Sequence, residues 1–491
     1  MKSLSLVLLL MGAQSLFAVP VLTLTEDSIL NLSKNSAVPE LDKIEANLLQ
    51  AKAEQMKAKD IFGVEGYAGY NYSETDEKGL ITFIPVFSPI HQYQAGLKKN
   101  FKYGLQADLS ATVDNRSSAR NNYDSLHTTT YSLKLNLDLW KDAFGRVTRK
   151  KLENLDIIAK QSQLESEINK KVFRITLRKI YWALIANNQK LDIAERQYQL
   201  SIKQLKDSKK RQRNSIADVS EVARYESQTS SRKGSILLVK YERESLLKQL
   251  RNFLPDIAAN ELVIENVNVD KTILDVLSCT TLIKTKKLVP YEYTKYDELV
   301  SLLKTVQTNT EVIDSSYDNI DLKLSTEFKK VGVGSEETAP NSSQFEGSYD
   351  ESLNNLEDGF SAGLLLTIPF GKKFSDTKEV TKKYNEKRLK ANIRSMDNSL
   401  LTTHTEISKS VEYLTEIIQA QRSNSRSLKV RLREMEKKFN QARIPAFQLV
   451  QDQDALLDSD IAIVDTQLAM LNTLLDYFVV FSDTPCNFNK L

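Results

Sequence analysis

Residues 131–145, YSLKLNLDLWKDAFG, contain the change of periodicity from which the rest of the chain can be worked out. Up to Leu139, leucine and tyrosine alternate with polar residues, which predicts a β-strand with one apolar face. Beyond Gly145 no proline occurs before Arg213, and apolar residues recur at heptad-like spacing among charged ones. This pattern predicts a coiled-coil helix of about 65 residues, roughly 100 Å long at 1.5 Å per residue. A strand therefore leads directly into a very long helix.

The long helix is followed by a second one. Residues 214–218 interrupt the helical pattern, and another helical run then continues to Pro255. The two runs predict a helical hairpin. Residues 219–236 are polar on nearly all sides of the helix, which is typical of a helix that meets water on more than one face.

The same order of elements occurs twice. Residues 366–371 match residues 137–145 in kind and place. The helical pattern breaks 69 residues after the glycine in the first copy, at Asn214, and 72 residues after it in the second copy, at Arg443. Because strands recur at matching offsets as well as helices, the sequence predicts an internal duplication.

Composition limits the class of protein. The 491 residues are 41% hydrophobic and 27% charged, which suits a folded chain, and the 15 glycines and 10 prolines indicate long elements with few turns. The net charge is only +3, and both signs are interleaved along the helices, so we expect no nucleic-acid partner. Residues 1–18 have a basic residue, Lys2, near their start, followed by a short apolar run that ends at Ala18. This pattern predicts a secretory signal peptide.

Few residues offer chemistry. Cys279 and Cys486 can form a disulfide in an exported chain, and the alternative is two unrelated buried thiols. The histidines His91, His127 and His404 are scattered, with no carboxylate or cysteine at ligand spacing. The sequence therefore supports no metal site, no cofactor and no enzyme activity.

With residues 131–139 included, alternating segments of about ten residues predict four strands in the first copy and two in the second. Polar loops are predicted at residues 115–125 and 331–358. The length, the alternation and the aromatic ends are typical of membrane β-barrel strands, although strands of a soluble sandwich would alternate in the same way. The export signal favours the membrane.

Taken together, these features resemble the TolC-like outer-membrane efflux proteins, the outer membrane factor family, over nearly the whole chain. Residues 137–146 are similar to the family's passage from barrel strand to periplasmic helix. The resemblance implies a mainly α-helical fold with membrane β-structure, in which coiled-coil hairpins form a periplasmic α-barrel and amphipathic strands form a trimeric transmembrane β-barrel. It implies a passive exit duct of a tripartite efflux or type I secretion system, in the cell outer membrane and extending into the periplasm. The implied partners are two further copies of the chain, outer-membrane lipid, a periplasmic adaptor (membrane fusion) protein, and an inner-membrane pump or ABC transporter.

The resemblance also implies site residues. The adaptor-docking tips would be Asn214, Ser215, Ile216, Ala217 and Asp218 in the first hairpin, and Arg443, Ile444, Pro445 and Ala446 in the second. Neither tip has the glycine that the family often carries there. In such relatives carboxylates just past the second tip narrow the tunnel, and Asp454 and Gln451 fall on the matching positions. Their spacing places Gln451, Asp454 and Asp458 on one helical face, where a threefold ring of Asp454 would favour cations. The alternative is an ordinary solvated helix face.

The predicted organisation is a signal peptide at residues 1–18, a first repeat at 19–297 and a second repeat at 298–491. The first repeat comprises a helix, strands at 61–139, a helical hairpin at 146–254 and an insertion, equatorial in the family, at 256–297. The second comprises a helix, strands at 319–370, a hairpin at 375–481 and a C-terminal tail.

Six strands a protomer would give a trimer about eighteen strands instead of the usual twelve. The additional hairpin, residues 92–101 and 105–113, could alternatively fold over the mouth of the barrel. The competing function is an exported structural coiled-coil or adhesin-like surface protein, which predicts no amphipathic strands at the repeat junctions.

Overall fold

The structure is a computed structural model. It describes residues 21–35, 38–75, 86–118, 123–215, 217–257, 260–285, 296–315, 320–334, 345–354, 358–368, 372–441 and 443–480. The helices are α1 (Glu26–Asn35), α2 (Pro39–Asp60), α3 (Arg146–Arg213), α4 (Val219–Phe253), α5 (Val269–Thr285), α6 (Tyr296–Ser315), α7 (Phe345–Asn354), α8 (Lys372–Asn440) and α9 (Ala446–Val480). The strands are β1 (Val21–Leu24), β2 (Val64–Ser73), β3 (Ile90–Asn100), β4 (Leu105–Ser118), β5 (Tyr123–Asp138), β6 (Glu261–Ile264), β7 (Asp321–Val333) and β8 (Asp358–Thr367). The predicted signal peptide lies outside the described residues.

The chain divides into two compact units, and each unit combines segments from both predicted repeats. The sheet unit consists of Asn47–Leu164 and Leu299–Ser395. The helical unit consists of Met1–Ala46, Glu165–Glu298 and Met396–Leu491. Compactness therefore does not test where the repeats begin and end, and those boundaries stay a prediction.

The sheet unit contains one antiparallel sheet with the strand order β2-β3-β4-β5-β7-β8. β5, from the first predicted repeat, pairs with β7, from the second, so that Leu133 lies opposite Phe328. The additional hairpin β3–β4 lies inside the sheet between β2 and β5. The alternative in which this hairpin folds over the mouth is therefore wrong.

A tight turn joins the sheet to α3. Gly145 has a φ of +71°, and a Cβ added to it would lie 1.9 Å from the carbonyl oxygen of Lys102, so only glycine fits there. Asp142 caps the new helix, because its Oδ1 accepts a hydrogen bond of 2.7 Å from the backbone N–H of Val147. Residues 131–145 thus form a strand, a turn docked on the β3–β4 loop, and a helix cap.

Two antiparallel helical hairpins dominate the helical unit. In the first, α3 and α4 are joined near the turn by the ion pair of Lys209 with Glu226 (2.7 Å). Further from the turn, the side-chain amide of Asn187 donates to the carbonyl of Val239 (3.1 Å). Helices α8 and α9 form the second hairpin in the same way. The four helices correspond to the two predicted coiled-coil hairpins.

The core of the helical unit is built by both hairpins together with β1, β6 and α5. The parallel pair β1–β6 brings Leu24 opposite Ile264. Asp270, at the start of α5, accepts hydrogen bonds from Arg422 (2.5 Å) and Gln467 (2.9 Å), which attaches the predicted insertion to the second hairpin. Some of the most deeply buried apolar side chains of this core are Leu24, Leu177, Leu184, Leu250, Ile273, Val276, Met470, Leu474 and Phe478.

Among the described residues, one helix is long and apolar enough by composition to cross a membrane, namely α9. Half of its most apolar window is buried inside the unit. Met470, Leu471 and Leu474 belong to the core cluster. Packing against the other hairpin and the insertion therefore accounts for the hydropathy of α9.

Two predicted loops are partly wrong. The loop predicted at residues 115–125 is shorter, because β4 continues to Ser118 and β5 begins at Tyr123. Arg116 of β4 pairs with Leu126 of β5 although the side chains around them are mostly polar. The hydrogen bonds between the strands are made by the backbone, so polar side chains do not exclude a strand. The loop predicted at residues 331–358 begins later, after Val333, and contains the helix α7.

Candidate functional site

The six-stranded sheet has two chemically different faces. Residues paired across antiparallel strands lie on the same side of a sheet, so the registers assign every residue to a face. We call the side rich in leucine, alanine, valine and tyrosine the apolar face. Its exposed large side chains are Val64, Tyr70, Tyr72, Tyr93, Leu97, Leu109, Leu133, Phe328, Phe360, Leu364 and Leu366.

The opposite side, the polar face, carries charged, amide and hydroxyl groups that bond to one another across the strands. Asp108 accepts a hydrogen bond of 2.8 Å from the hydroxyl of Tyr67. Asp114 accepts one of 2.9 Å from the amide of Gln92 and pairs with Arg116 at 2.6 Å. The sheet thus has one face of bonded polar groups and one face that is largely apolar. The apolar face also carries Lys99 and the ion pair of Lys330 with Asp358 (3.9 Å).

Aromatic residues of the apolar face pair across neighbouring strands, and the tyrosines among them lie toward the end of the sheet at which β2 finishes. The ring centroids of Tyr70 and Tyr93 are 5.0 Å apart. Those of Phe328 and Phe360 are 4.9 Å apart. Tyrosines near the end of a strand, such as Tyr70, are typical of a membrane interface. Phe328 and Phe360 lie four residues further from this end of the sheet than Tyr70 and Tyr93.

The turn between α3 and α4 contains the first predicted tip. Its described residues are Asn214, Ser215, Ala217 and Asp218, and Ile216 lies outside the described residues. Ser215 adopts a left-handed φ of +59°, which reverses the chain. Asp218 caps α4 by accepting hydrogen bonds from the Ser220 hydroxyl (2.7 Å) and the Glu221 backbone N–H (2.8 Å). These bonds hold the pKa of Asp218 below its ordinary value.

The turn between α8 and α9 contains the second predicted tip, with Arg443, Ile444, Pro445 and Ala446. The backbone N–H of Arg443 donates to the carbonyl of Lys438 (2.9 Å), which closes the end of α8. Pro445 precedes the first residue of α9, where a missing N–H costs nothing, and its carbonyl accepts from Gln448 (3.2 Å). Both tips are therefore compact turns followed by a well-started helix.

The two tips lie side by side in the helical unit. Phe439, near the end of α8, has its ring centroid 6.4 Å from that of Tyr225 and 4.7 Å from the guanidinium of Arg211. The guanidinium of Arg224 lies 5.4 Å from the ring of Phe447. A cavity of 310 Å³ lies among the ends of the four helices. The structure therefore brings the two sets of predicted tip residues to one place.

Just behind the tips, polar side chains join α4 to α9. The amide of Gln228 donates to Gln453 (3.1 Å), and both side chains are buried. The guanidinium of Arg232 contacts the carboxylate of Asp454. The Arg232 side chain is 7% exposed and that of Asp454 is 51% exposed. The partial burial of Asp454 raises its pKa; the charge of Arg232 opposes this rise, and the charge of the neighbouring Asp458 adds to it.

The three predicted constriction residues are not equivalent. Gln451 and Asp458 are exposed on α9, whereas Asp454 is paired with Arg232 of its own chain. Whether the three narrow a tunnel depends on an assembly of several chains, and it stays a prediction.

Sequence reasoning missed Arg232 and Asp452. The carboxylate of Asp452 is 4% exposed and binds Arg431 of α8 through two contacts, of 2.8 and 3.1 Å. The buried positions of α4 are Val222, Tyr225, Gln228, Arg232, Ile236, Val239, Leu247 and Leu250. The first six are three or four residues apart, which is the coiled-coil signal, but polar residues at two of them hide it from a search for apolar positions.

Cys279 is buried in the core of the helical unit and is disulfide-bonded. Cys486 lies outside the described residues. The pairing of Cys279 with Cys486 therefore stays a prediction.

Comparison with known proteins gives a clear result for structure alone. No family sequence model matches the chain, and no curated protein sequence matches it. The solved structure of the outer membrane protein VceC from Vibrio cholerae is 12% identical, with a TM-score of 0.63 over 93% of this chain and 95% of that one. The MtrE outer membrane channel of Neisseria gonorrhoeae, in its open state, is 12% identical, with a TM-score of 0.60 over 93% of this chain and 88% of that one. The CmeC outer membrane channel of Campylobacter jejuni is also 12% identical, with a TM-score of 0.60 over 93% of this chain and 85% of that one.

The chain has the outer membrane factor fold. Each of these matches extends over 93% of the chain. The fold class predicted from the resemblance is therefore confirmed. Identities of 12% mean that the architecture is kept while nearly every side chain differs.

Proposed function

We propose that the chain is one protomer of a homotrimeric, passive exit duct in the cell outer membrane, extending into the periplasm. The observation that carries the proposal is the exposed apolar face of the six-stranded sheet. Burying a large apolar side chain is worth about 1.5–3 kcal/mol, so a face with eleven of them would be unstable in water. Lipid on that face and water on the polar face satisfy both, as in a membrane barrel wall.

The edges of the sheet support an assembly of several copies. β2 and β8 are the outermost strands of the described sheet, and each leaves one side of its backbone without a partner strand. Every unpaired backbone group in a bilayer costs several kcal/mol, so the sheet must close. Six is an even number, so β8 of one copy meets β2 of the next in the antiparallel sense.

Three copies would close a barrel of about eighteen strands, within the range of known barrels. With strands about 4.8 Å apart and tilted by about 40°, the backbone radius is about 18 Å. A barrel of this size leaves an aqueous channel, unlike an eight-stranded barrel whose interior is filled by side chains. The polar face would line that channel.

The hairpin tips are the proposed docking surface for the partners. They present exposed polar residues from two adjacent turns, including Asp218 and Arg443. A periplasmic adaptor protein would bind there and connect the duct to an inner-membrane pump or ABC transporter, in a tripartite efflux or type I secretion system. The sequence has no Gly-Lys-Ser or Gly-Lys-Thr phosphate-binding loop, so the energy would come from the pump and we expect no enzyme activity.

Behind the tips, Gln451, Asp454 and Asp458 are the proposed constriction residues. In a trimer, the ring formed by the three Asp454 side chains would carry less net negative charge than three unpaired aspartates, because an Arg232 accompanies each of them. The proposed cation preference would therefore come mainly from Asp458 and from the exposed part of Asp454.

The competing function, an exported structural coiled-coil or adhesin-like surface protein, accounts for the helices alone. It provides nothing to cover the apolar face of the sheet. We therefore favour the duct.

The decisive experiment compares two substitutions in one strand. Leu97 is on the apolar face of β3 and Gln94 is on the polar face, and both are exposed. The full chain is produced as wild type, Leu97→Lys and Gln94→Lys, and is examined as trimer in outer-membrane fractions and as a channel in planar bilayers. We expect Leu97→Lys to reduce membrane incorporation strongly, since a lysine facing lipid costs about 2–4 kcal/mol in each protomer, and Gln94→Lys to insert normally. A soluble wild-type monomer, or equal behaviour of the two variants, would refute the proposal.

A further inference from the structure

The short helix α7 is fixed against the apolar face of the sheet. Ser348 and Ser352, on the side of α7 that meets the sheet, are fully buried. The hydroxyls of Ser348 and Thr129 of β5 are hydrogen-bonded at 2.9 Å. Gly332 of β7 permits the close approach, since an added Cβ would lie 2.3 Å from backbone atoms of both serines. Helix α7 is therefore a built part of the sheet unit.

The flanks of α7 face in different directions along the strands. Glu351 accepts a hydrogen bond of 2.7 Å from the backbone N–H of Val333, the last residue of β7. On the other flank, Tyr349 lies near enough to Tyr131 for the two hydroxyls to interact electrostatically, and Tyr131 is two residues further into β5 than Thr129. The acidic flank thus faces the end of the sheet, and the flank with Tyr349 faces its middle.

The flank toward the middle of the sheet is apolar and uncovered within the described residues. Phe345, Tyr349 and Leu353 recur every four residues and form one stripe along the helix. Their exposed fractions are 50%, 42% and 51%. Glu346 and Asp350 follow on the side that points away from the sheet. The helix is therefore amphipathic although it is fixed to the protein.

The stripe adds to the tyrosine pair of β2 and β3 on the same face of the sheet. Tyr70, Tyr93, Val113, Thr129 and Gly332 are successive partners in one ladder across the sheet. At this level β2 and β3 carry tyrosines, whereas β5 and β7 carry the small residues on which α7 rests. The helix thus places aromatic side chains where these strands have none.

We propose that α7 is an interfacial helix on the outside of the barrel wall. Phe345, Tyr349 and Leu353 insert into the outer leaflet of the membrane at the boundary between acyl chains and headgroups, and the acidic residues lie among the headgroups. An amphipathic helix in this position buries its apolar side to a depth of about 5–10 Å. The inference rests on the proposed function, because it requires the apolar face to meet lipid.

Tryptophan fluorescence in vesicles tests the proposal. Three variants of the full chain, Tyr349→Trp, Leu97→Trp and Tyr67→Trp, are reconstituted in phosphatidylcholine brominated either near the headgroup or near the ends of the acyl chains. Tyr67 is the matched control, since it is a tyrosine of the polar face. The emission of the two native tryptophans is subtracted with the wild-type protein.

We expect Tyr349→Trp to be quenched about twofold more by the shallow bromines than by the deep ones, in keeping with an interfacial depth. Leu97→Trp should be quenched by the deep bromines, and Tyr67→Trp by neither. Addition of Gly332→Ala, which forces α7 away from β7, should lower the quenching of Tyr349→Trp. Gly363→Ala, where an added Cβ meets nothing within 4 Å, should leave it unchanged.

The outcomes separate the two proposals. If Leu97→Trp is quenched but Tyr349→Trp is not, the apolar face meets lipid and α7 does not, so the interfacial helix is refuted while the duct remains. If neither is quenched in vesicles, the apolar face does not meet lipid and the proposed function fails as well.

Discussion

The ion pair between Arg232 and Asp454 joins partners of unequal burial, and this inequality predicts which partner is harder to lose. The Arg232 side chain is 7% exposed, whereas that of Asp454 is 51% exposed. Removing Asp454 leaves a buried guanidinium without its charged partner. Removing Arg232 leaves a carboxylate that water already reaches. We therefore expect Asp454→Ala to destabilise the contact between the hairpins much more than Arg232→Met.

The size of the effect follows from the burial. Loss of one partner from a fully buried ion pair costs about 3–5 kcal/mol. Solvent weakens a pair with one half-exposed member, so we expect about 2 kcal/mol for Asp454→Ala. For Arg232→Met, which keeps the apolar stem, we expect less than about 1 kcal/mol.

Hydrogen exchange of the detergent-solubilised full chain measures the local free energy of opening directly. A loss of about 2 kcal/mol makes exchange about thirtyfold faster, here in residues 225–236 and 449–458. Asp458→Ala is the matched control, because Asp458 is exposed on the same helix and a surface substitution of this kind changes stability by less than about 0.5 kcal/mol. Faster exchange in Arg232→Met than in Asp454→Ala would refute the reasoning, and so would an equal effect of Asp458→Ala.

Three further predictions follow from single features. Gly145→Ala forces a residue with a side chain into a left-handed conformation, at about 1–2 kcal/mol, and into a clash with the carbonyl of Lys102 in the β3–β4 loop. The proposed trimer should therefore dissociate at a lower temperature on heating, whereas Gly363→Ala, where an added Cβ meets no neighbour, should not change that temperature. If Cys279 pairs with Cys486 of the same chain, the closed loop makes the unreduced, denatured chain more compact, so reduction should slow its electrophoretic migration. Equal migration before and after reduction would contradict the pairing. So would a dimer band that reduction removes, because the disulfide would then join two chains. Because the pKa of Asp454 is raised, Asp454 should take up a proton on acidification before an ordinary aspartate does, and part of the proposed cation preference of the proposed duct should be lost at that point. Asp454→Asn should abolish this early loss, and an unchanged reversal potential of the wild-type protein in this pH range would contradict the prediction.

The strand-to-helix junction could be predicted because two strong signals meet there. Alternating leucines up to Leu139 and a long run without proline after Gly145 have different periods, and both periods are displayed by side chains. The polar ends of β4 and β5 could not be predicted in this way. Their pairing depends on the backbone, and the polar side chains of this end imitate a loop.

Helix α7 was missed for a related reason. Its residues include glycine, asparagine, aspartate and two serines, a composition that favours loops. The only helical signal is the spacing of Phe345, Tyr349 and Leu353, and ten residues are too few for that spacing to stand out. The two serines are buried because they permit close packing on Gly332, which is a tertiary effect with no sequence period.

The polar side chains that join the helices just behind the tips affect the stability of the hairpins. Near the tip, the buried residues of α9 include Asp452 and Gln453 beside Leu449, whereas from Met470 to Phe478 they are almost all apolar. A buried large apolar side chain contributes about 1.5–3 kcal/mol, and a hydrogen bond contributes about 1 kcal/mol net. Local opening therefore costs less at the tips than in the core of the helical unit. In the proposed duct the tips form the entrance, and this gradient allows the entrance to change shape while the remainder of the hairpins stays packed. The polar contacts near the tips can be exchanged for hydrogen bonds to water, whereas apolar contacts have no such replacement.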